Sequence, residues 1–429
     1  MVRSSWRAPN SPVETLERAS ERTSTNSGFN GTIFRTPIGR RIRAEGLGDL
    51  PQNSIKVSLV VEVKTNKDWK DFLGLNTQVY RPQSLYCPPL DLHLKMMLGS
   101  LKQPQKHLLV AYQNALPVAR MGIKRHRHGD YDALHFGFYE SLPVGPDATI
   151  ALFAEARRRY PNLEVRGPYQ FRMEDPYTGV LVDGFDQDPH FFMSYNPPYY
   201  DEYLKTAQMS AAMDLFTYEF TPSSVNLDSM QKKGQEAKEA GFTLRNLNMW
   251  KLKQEAKHMA TIFNDALSDN WGYEKLEDDQ INDLITLAIA FLDPKLVFFS
   301  ELIGEPVGCA IMLPNFNPII KPTGGKLGPS FAWDFFTKRR KLDTFRCYAI
   351  GVLKEHRKSP VGGQLANALM QKFKTIPWKS IEMSWILSNN RPMNLMAVGL
   401  GGKRTKIYRV YESVSGSALA ASKNTQAKP

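Results

Sequence analysis

The same succession of elements runs twice along this chain, and nothing else in the sequence constrains its fold as tightly. In the first run, "SIKVSLVVEV" alternates as a strand does, "DWKDFLGLNTQVY" has helical spacing, and "HLLVAYQNALPVARMGI" is a hairpin turning at "QNALP". "ALHFGFYESL" follows as a strand and "DATIALFAEARRRY" as a helix with Asp147 at its N-cap. "NLEVRGPY" reads as a strand, "HFFMSYN" as a further strand candidate, "PPYYDEYLKTAQ" as a helix started by prolines, and "MDLFTYEF" as the closing strand.

The second run opens with two helices, "WKLKQEAKHMATIFNDAL" and "DDQINDLITLAIAFL". A hairpin turning at "GEP" comes next, then the strand "TFRCYAIGVL", the helix "GGQLANALMQKFK" and the strand "SIEMSWILSN". The helix "RPMNLMAVGLG", stopped by glycine, and the strand "KRTKIYRVYE" complete it. The repeat is one of pattern, with little identity between the halves. It predicts an α/β (α+β) protein made of two mixed-sheet domains in tandem. Residues 1–54, rich in Ser, Thr, Asn, Gly and Arg, read as a disordered basic tail, and 413–429 as a second tail. The halves then cover 55–221 and 241–412, joined by an exposed connector over 222–240.

The function classes narrow from composition. Lys and Arg exceed Asp and Glu by 12, an excess suited to nucleic acid, an anionic membrane or a polyphosphate ligand. The densest basic patches, "KRHRH" and "TKRRK", lack the interleaved aromatics of single-strand binders, which argues against nucleic acid. No apolar run nears the roughly 20 residues that span a bilayer, and the N-terminus shows no apolar signal-peptide core. Cys87, Cys309 and Cys347 lie far apart, so neither a disulfide framework nor a zinc site is expected. These features predict a cytoplasmic protein. No metal is expected, because no histidines form an HxxxH or HExxH spacing; GxSxG and Walker loops are absent.

One stretch carries chemistry: "CYAIGVLKEHRKSPVGGQLANAL". A strand runs into a glycine loop and then a helix N-terminus, where free N–H groups and the helix dipole favour a phosphate. Arg357 and Lys358 add full charges beside it. Gly362 and Gly363 allow close backbone approach. A tight turn with no ligand is the alternative reading of these residues alone.

In its context this segment resembles the GNAT superfamily of acyl-CoA-dependent N-acyltransferases, over roughly 240–412. The resemblance implies acyl-CoA or acetyl-CoA as co-substrate. The loop from Arg357 through Lys358, Val361, Gly362 and Gly363 would hold its pyrophosphate, and Val352 and Leu353 would lie along its pantetheine arm. Pro360 stands where the family has its first glycine and removes one N–H donor. Asn390 matches the asparagine that begins the family's second motif. The family's general-acid tyrosine is replaced by Ala397, which leaves Tyr348, Tyr408 and Tyr411 as acids by chemistry, with Tyr348 the catalytic candidate beside Asn390. Glu301 and Glu382 are carboxylates that could serve as base.

The first half, through "RGPYQFRMEDPYTGVLVDGFDQDPHFFMSYNPPYYDEYLKTAQM", resembles a bacterial group of two-domain GNAT-like proteins with ceramide-synthase-type relatives. It lacks a glycine–basic loop, so it reads as a degenerate repeat. Tyr195, Asn196, Tyr199 and Tyr200 are the candidates for an acceptor pocket, and Asp183 and Asp186 are either amine partners or turn residues. The resemblance implies transfer of an acyl group from acyl-CoA to a primary amine, with a long-chain or sphingoid amine and peripheral contact with an anionic inner membrane among its implications. A catalytically inactive GNAT-like binding module is the alternative that Pro360 and Ala397 leave open.

Overall fold

The computed structural model describes residues 34–35, 41–42, 58–80, 84–99, 105–128, 131–171, 175–276, 281, 285 and 291–413. The chain divides into two compact units, Met1–Ile55 and Lys56–Pro429. In the first, β1 (Phe34–Arg35) pairs antiparallel with β2 (Arg41–Ile42). The rest of the segment read as a basic tail, and residues 414–429, lie outside the described residues.

The second unit holds both runs. The first comprises β3 (Leu59–Glu62), α1 (Asn66–Val79), α2 (Asp91–Gly99), β4 (Lys106–Gln113), β5 (Leu116–His128), β6 (Tyr131–Ser141), α3 (Asp147–Arg159), β7 (Glu164–Gly167), β8 (Val180–Asp183), α4 (Tyr200–Thr206) and β9 (Met209–Phe220). The second comprises α5 (Leu227–Glu239), β10 (Phe242–Asn246), α6 (Leu252–Ala266), β11 (Val297–Leu302), β12 (Glu305–Pro314), α7 (Pro329–Lys338), β13 (Thr344–Val352), α8 (Val361–Phe373), β14 (Ser380–Leu387), α9 (Arg391–Gly399) and β15 (Lys403–Ser413).

Local chemistry accounts for most boundaries. Thr65 and Asp68 cap α1 reciprocally, side chain to backbone in both directions. The β4–β5 hairpin turns through Asn114 and Ala115 at φ 50 and 63°, and β11–β12 through Ile303 and Gly304 at φ 53 and 81°. Both are two-residue left-handed turns, whose twist matches that of the strands they join. Three readings need correction. Pro146, not Asp147, holds the N-cap of α3, and Asp147 is its first helical residue. "HFFMSYN" is irregular, because its Phe191 and Phe192 are buried against the second half instead of alternating across a sheet. The stretch read as an exposed connector, 222–240, holds α5, of which Met230 and Ala237 are buried, and the edge strand β10 follows it. Most of "DDQINDLITLAIAFL" lies outside the described residues.

The strands form one 13-stranded sheet in the order β10-β11-β12-β13-β14-β9-β15-β7-β6-β5-β4-β3, with β8 also on β15. Within each run the strands are antiparallel except for one parallel pair, β13 with β14 and β6 with β7. The closing strands are exchanged: β9, from the first run, lies beside β14, and β15, from the second, lies beside β7 and β8. The two pair with each other from Glu219↔Lys403 to Met209↔Ser413. Among the described residues no helix is long and apolar enough to cross a membrane.

Exchanged closing strands leave neither half a complete sheet of its own. Calorimetry should therefore give one cooperative transition for residues 58–413, with the two halves melting together. Two resolved transitions would mean that each half is stable without the other's strand.

Candidate active site

β13 and β14 run parallel from Thr344↔Ser380 to Cys347↔Met383 and then part. β14 turns to β9, pairing Ile386 with Phe216. β13 stays with β12 as far as Val352↔Gly308. At the fork β13 carries a bulge: Ile311 faces Ala349 and Met312 faces Cys347, so Tyr348 is the extra residue. A bulge of this kind re-aims a side chain. Beyond it, the edge of β13 away from β12 has no neighbouring strand among the described residues over Tyr348–Val352, and it borders a cleft of about 1150 Å³. Such an edge offers main-chain donors and acceptors to an extended polar ligand.

A buried guanidinium holds the fork. Arg346, 3% exposed, donates from Nε to Ser384 Oγ at 2.8 Å, from Nη2 to the Ser384 carbonyl at 3.2 Å, and from Nη1 to the Phe191 carbonyl at 2.9 Å. It thus joins both strands to a loop of the first half. Beside it Glu382 is buried with Lys406 at 2.6 Å and His190 at 3.2 Å. Burial would raise the Glu382 carboxyl, but His190 and Lys406 beside it outweigh that and hold it below the usual carboxylate range.

The glycine loop forms one rim. Gly362 faces open space, the nearest atom to an added Cβ being Val352 Cγ2 at 4.0 Å. Gly363 serves another purpose: a Cβ there would sit 2.3 Å from the Lys233 Cβ, so this glycine lets α5 pack on α8. Val361 is fully buried in the core beneath and does not face the cleft. Leu353 also turns away, its N–H donating to the Val307 carbonyl at 2.9 Å. Arg357 borders the cleft, yet its guanidinium holds the end of α6, through Asp269 at 3.2 Å and the Ala266 carbonyl at 2.8 Å. Lys358 is exposed and outside the cleft lining. With Pro360 at the N-cap, the first-turn amides of Val361, Gly362 and Gly363 precede any intrahelical bond. The Val361 amide reaches Ser359 Oγ at 3.4 Å.

Tyr348 and Asn390 both line the cleft. Asn390 caps α9, its Oδ1 accepting from the Met393 amide at 3.2 Å. Tyr408 and Tyr411 are fully buried away from it, and Ala397 is core. Neither candidate carboxylate reaches it: Glu301 pairs with Arg245 at 2.5 Å, and Glu382 is in the network above. Burial pushes the Cys347 thiol up to about 12, so this cleft cysteine stays protonated.

The four acceptor candidates do not line the cleft; they fill the first half's own counterpart of the glycine loop. In the first run β6 leads through 142–146 into α3, as β13 leads into α8. The Tyr199 hydroxyl donates to the Ser141 carbonyl at 2.8 Å. The Tyr200 hydroxyl accepts from the Ser141 amide at 2.9 Å and donates to Glu140 at 2.7 Å, and Tyr203 accepts from the Gly145 amide at 2.8 Å. Asn196 closes on the backbone of Leu181 at both ends of its amide, and Tyr195 reaches the Phe185 carbonyl at 3.4 Å. Together they serve the first half's packing. Asp183 and Asp186 are exposed turn residues, Asp183 capping the Gly184 amide.

Sequence reasoning missed the residues that the first half does contribute. His93, Lys106, Lys124, Gln170 and Phe192 line the cleft opposite the apolar face of α6, where Ala256, Met259, Ala260 and Phe263 stand. His93 is 4% exposed, and burial among Phe192 and Tyr177 lowers it to about 4. Lys106 donates to the Met97 carbonyl at 2.6 Å; burial and the cross-strand charge of Lys124 lower it to about 8. Against the expectation from spacing, His126, His135 and Glu274 also converge, with ligand atoms within 4.8 Å of one another. His135 is engaged at both nitrogens, by the Phe171 carbonyl at 2.8 Å and the Tyr131 hydroxyl at 2.9 Å. Lys124 faces it in register, so the surroundings do not favour a cation.

Two outcomes follow. Tyr200→Phe should lower unfolding free energy by about 1–3 kcal/mol, since it removes a donor to buried Glu140 and an acceptor for Ser141; denaturant titration measures it. His93, lowered from 6.5 to about 4, binds fewer protons folded than unfolded in that interval. Stability should therefore rise with pH from about 4 to 6.5 and level off above, and His93→Gln should flatten part of that slope in melts across the range.

No family model matches the chain. It is 28% identical over 385 residues to "Bacterial ceramide synthase" of Caulobacter vibrioides, covering 85% of this chain and 99% of that protein. It is 25% identical over 380 residues to "Protein YghO" of Escherichia coli, covering 84% and 96%. Solved structures with similarity include a tandem GNAT protein from the clavulanic acid biosynthesis pathway, at TM-score 0.47 and 13% identity over 83% of this chain and 98% of that one. Another is a GCN5-related N-acetyltransferase from Sphaerobacter thermophilus, at TM-score 0.45 and 10% identity over 85% and 96%. The similarity to these two proteins thus extends across both halves of the chain.

Proposed function

We propose that this protein is a GNAT-type N-acyltransferase that moves an acyl group from acyl-CoA to a primary amine carried on a long apolar chain. The observation that carries the reading is the forked pair β13–β14, with its bulge at Tyr348, its unpaired edge and the Gly362 turn, all bordering one apolar cleft. The pantetheine amides would lie along Tyr348–Val352 as an added strand, with the pyrophosphate at the first-turn amides of α8. Cys87, Cys309 and Cys347 are buried, which speaks against a covalent acyl-thiol intermediate and for direct transfer.

In that transfer the amine nitrogen attacks the thioester carbon, the amine loses a proton, and the C–S bond breaks to release the CoA thiolate, which is protonated. His93 is neutral at physiological pH, but burial lowers it to about 4 and makes it a weak base, so the amine proton leaves through solvent in the cleft. Tyr348, at the fork, is the phenol placed to donate one to the leaving sulfur. Arg346, held on three sides, keeps the fork open for both. The acceptor class follows from the walls: Met259, Phe263, Ile285, Phe291, Leu292 and Leu313 suit an alkyl chain, at about 0.8 kcal/mol per methylene buried. The similarity to bacterial ceramide synthase points the same way, toward a sphingoid base.

The test is mass spectrometry of amides formed from a mixed acyl-CoA pool and amines of rising chain length. Turnover should climb with chain length; equal turnover of short polar amines would remove the lipid acceptor. No amide from any pair, with acyl-CoA still bound, would favour a catalytically inactive binding module. Gly362→Asp checks the cradle separately. The site has room for the side chain, and an acid in the first turn suits the helix dipole, so melting should hold or rise. Acyl-CoA affinity by calorimetry should fall at least about tenfold from repulsion of the pyrophosphate; unchanged affinity would place the phosphates elsewhere.

A further inference from the structure

Helix α7 presents two large aromatic side chains to solvent, Trp333 at 72% and Phe336 at 70% exposure. They are three residues apart and share one face of the helix. Leu327, 43% exposed, precedes them. From Lys326 to Lys341 the sequence holds five basic residues, Lys326, Lys338, Arg339, Arg340 and Lys341, all exposed, against the one acid Asp334. Asp334 is already paired with Lys338 at 2.9 Å. The Arg339 guanidinium lies over the Phe335 and Phe336 rings, 5.2 and 5.8 Å from their centroids. Exposed aromatics ringed by arginine and lysine match the boundary between the acyl chains and anionic head groups of a bilayer.

The opposite face of α7 leads into the cleft. Phe331 is buried and Phe335 packs beside it, at 5.6 Å between centroids. Phe335 also meets Phe316 at 5.6 Å and Phe291 at 6.1 Å. Phe291 lines the apolar end of the cleft. One helix thus has an outer face of membrane-interface composition and an inner face in the aromatic cluster that walls the cleft.

We propose that α7 with the basic turn Lys338–Lys341 docks on an anionic lipid surface, inserting Trp333 and Phe336 at head-group depth beside the apolar end of the cleft. This deepens the long-chain acceptor reading and rests on it for its purpose. An amine with a long alkyl chain resides in membranes and must pass from one apolar phase to another. A surface seated next to the cleft's apolar end shortens that passage.

The experiment is co-sedimentation of the full chain with vesicles of equal phosphatidylglycerol and phosphatidylcholine, and with phosphatidylcholine alone. Binding should require the anionic lipid and weaken with salt. Trp333→Ala with Phe336→Ala should lower partitioning at least about tenfold through lost apolar burial. Arg339→Gln with Arg340→Gln should lower it roughly 25-fold, about fivefold per charge. Melting temperatures should stay level, because all four side chains are exposed. Variants that bind as the parent chain does would overturn the proposal and move any lipid contact to the basic N-terminal segment. Equal binding to neutral vesicles would also overturn it, as would a dimer, seen by light scattering, that the aromatic variants dissolve. Binding is read without turnover, so a parent chain that docks as described but acylates nothing leaves this surface standing and removes the acyltransferase reading.

Discussion

The fold turns on β9 and β15 lying side by side in the middle of the sheet. Each strand was made by one run of the chain and is used by the other: β9 pairs with β14, and β15 with β7 and β8. Separating the halves would strip hydrogen-bond partners from both, in the middle of the sheet. That cost is larger than a surface contact between two finished domains could impose, because each lost ladder leaves orphaned backbone groups. The exchange also sets geometry. With β9 fixed beside β14, the first half's 185–195 loop is carried over β13, where the Phe191 carbonyl meets Arg346.

That contact explains a charged network in a place where charges are expensive. Arg346, Glu382, Lys406 and His190 are all buried, on β13, β14, β15 and a loop of the first half. An apolar group at Arg346 would pack, but it could not bond Ser384 twice and Phe191 once, and the fork between β13 and β14 would lose what holds its base. Buried ion pairs are weak evidence for stability, and removing one partner is severe, because the other is left uncompensated. What this network gives is position: it holds together four chain segments that are distant in sequence, directly behind the edge that borders the cleft.

Periodicity and turn chemistry made the elements legible. The hairpin turn at Asn114–Ala115 and the glycine loop before α8 stand where they were read, whereas the turn read at "GEP" lies one residue earlier, at Ile303–Gly304. What stayed hidden depends on partners far away in sequence. The run "KKGQEAKEAG" has so few apolar residues that it reads as solvent-bound, yet one turn-spaced set, Met230 and Ala237, suffices to seat α5 on α8 once Gly363 and Gly234 clear the way. No local pattern shows that MDLFTYEF and KRTKIYRVYE exchange halves, because a strand's own residues say which face is buried and not which neighbour it takes. For the same reason His93 and Lys106 were passed over: one is a lone histidine on a short helix and the other a lysine at a strand end. Only their burial on the cleft wall sets them apart.

The tyrosines of "NPPYYDEY" show why the two runs diverged. Both runs make a strand, a loop and a helix N-terminus, so both produce unpaired backbone groups at that turn. In the first run these groups are bonded from within: Tyr199 and Tyr200 take the Ser141 carbonyl and amide, and Tyr203 takes the Gly145 amide. These bonds occupy the Ser141 and Gly145 backbone groups of that loop. In the second run the corresponding helix begins at Pro360 and Val361, and Gly362 is left facing open space. Its own preceding segment, α5, packs there through Lys233 and Gly363 and lends Ser229, Met230 and Lys233 to the cleft lining. The pattern first read as an acceptor pocket is thus the means by which one half was closed. Of the two turns on the shared sheet, the one before α8 borders the cleft, and the first half furnishes part of the cleft wall through His93, Lys106, Lys124, Gln170 and Phe192.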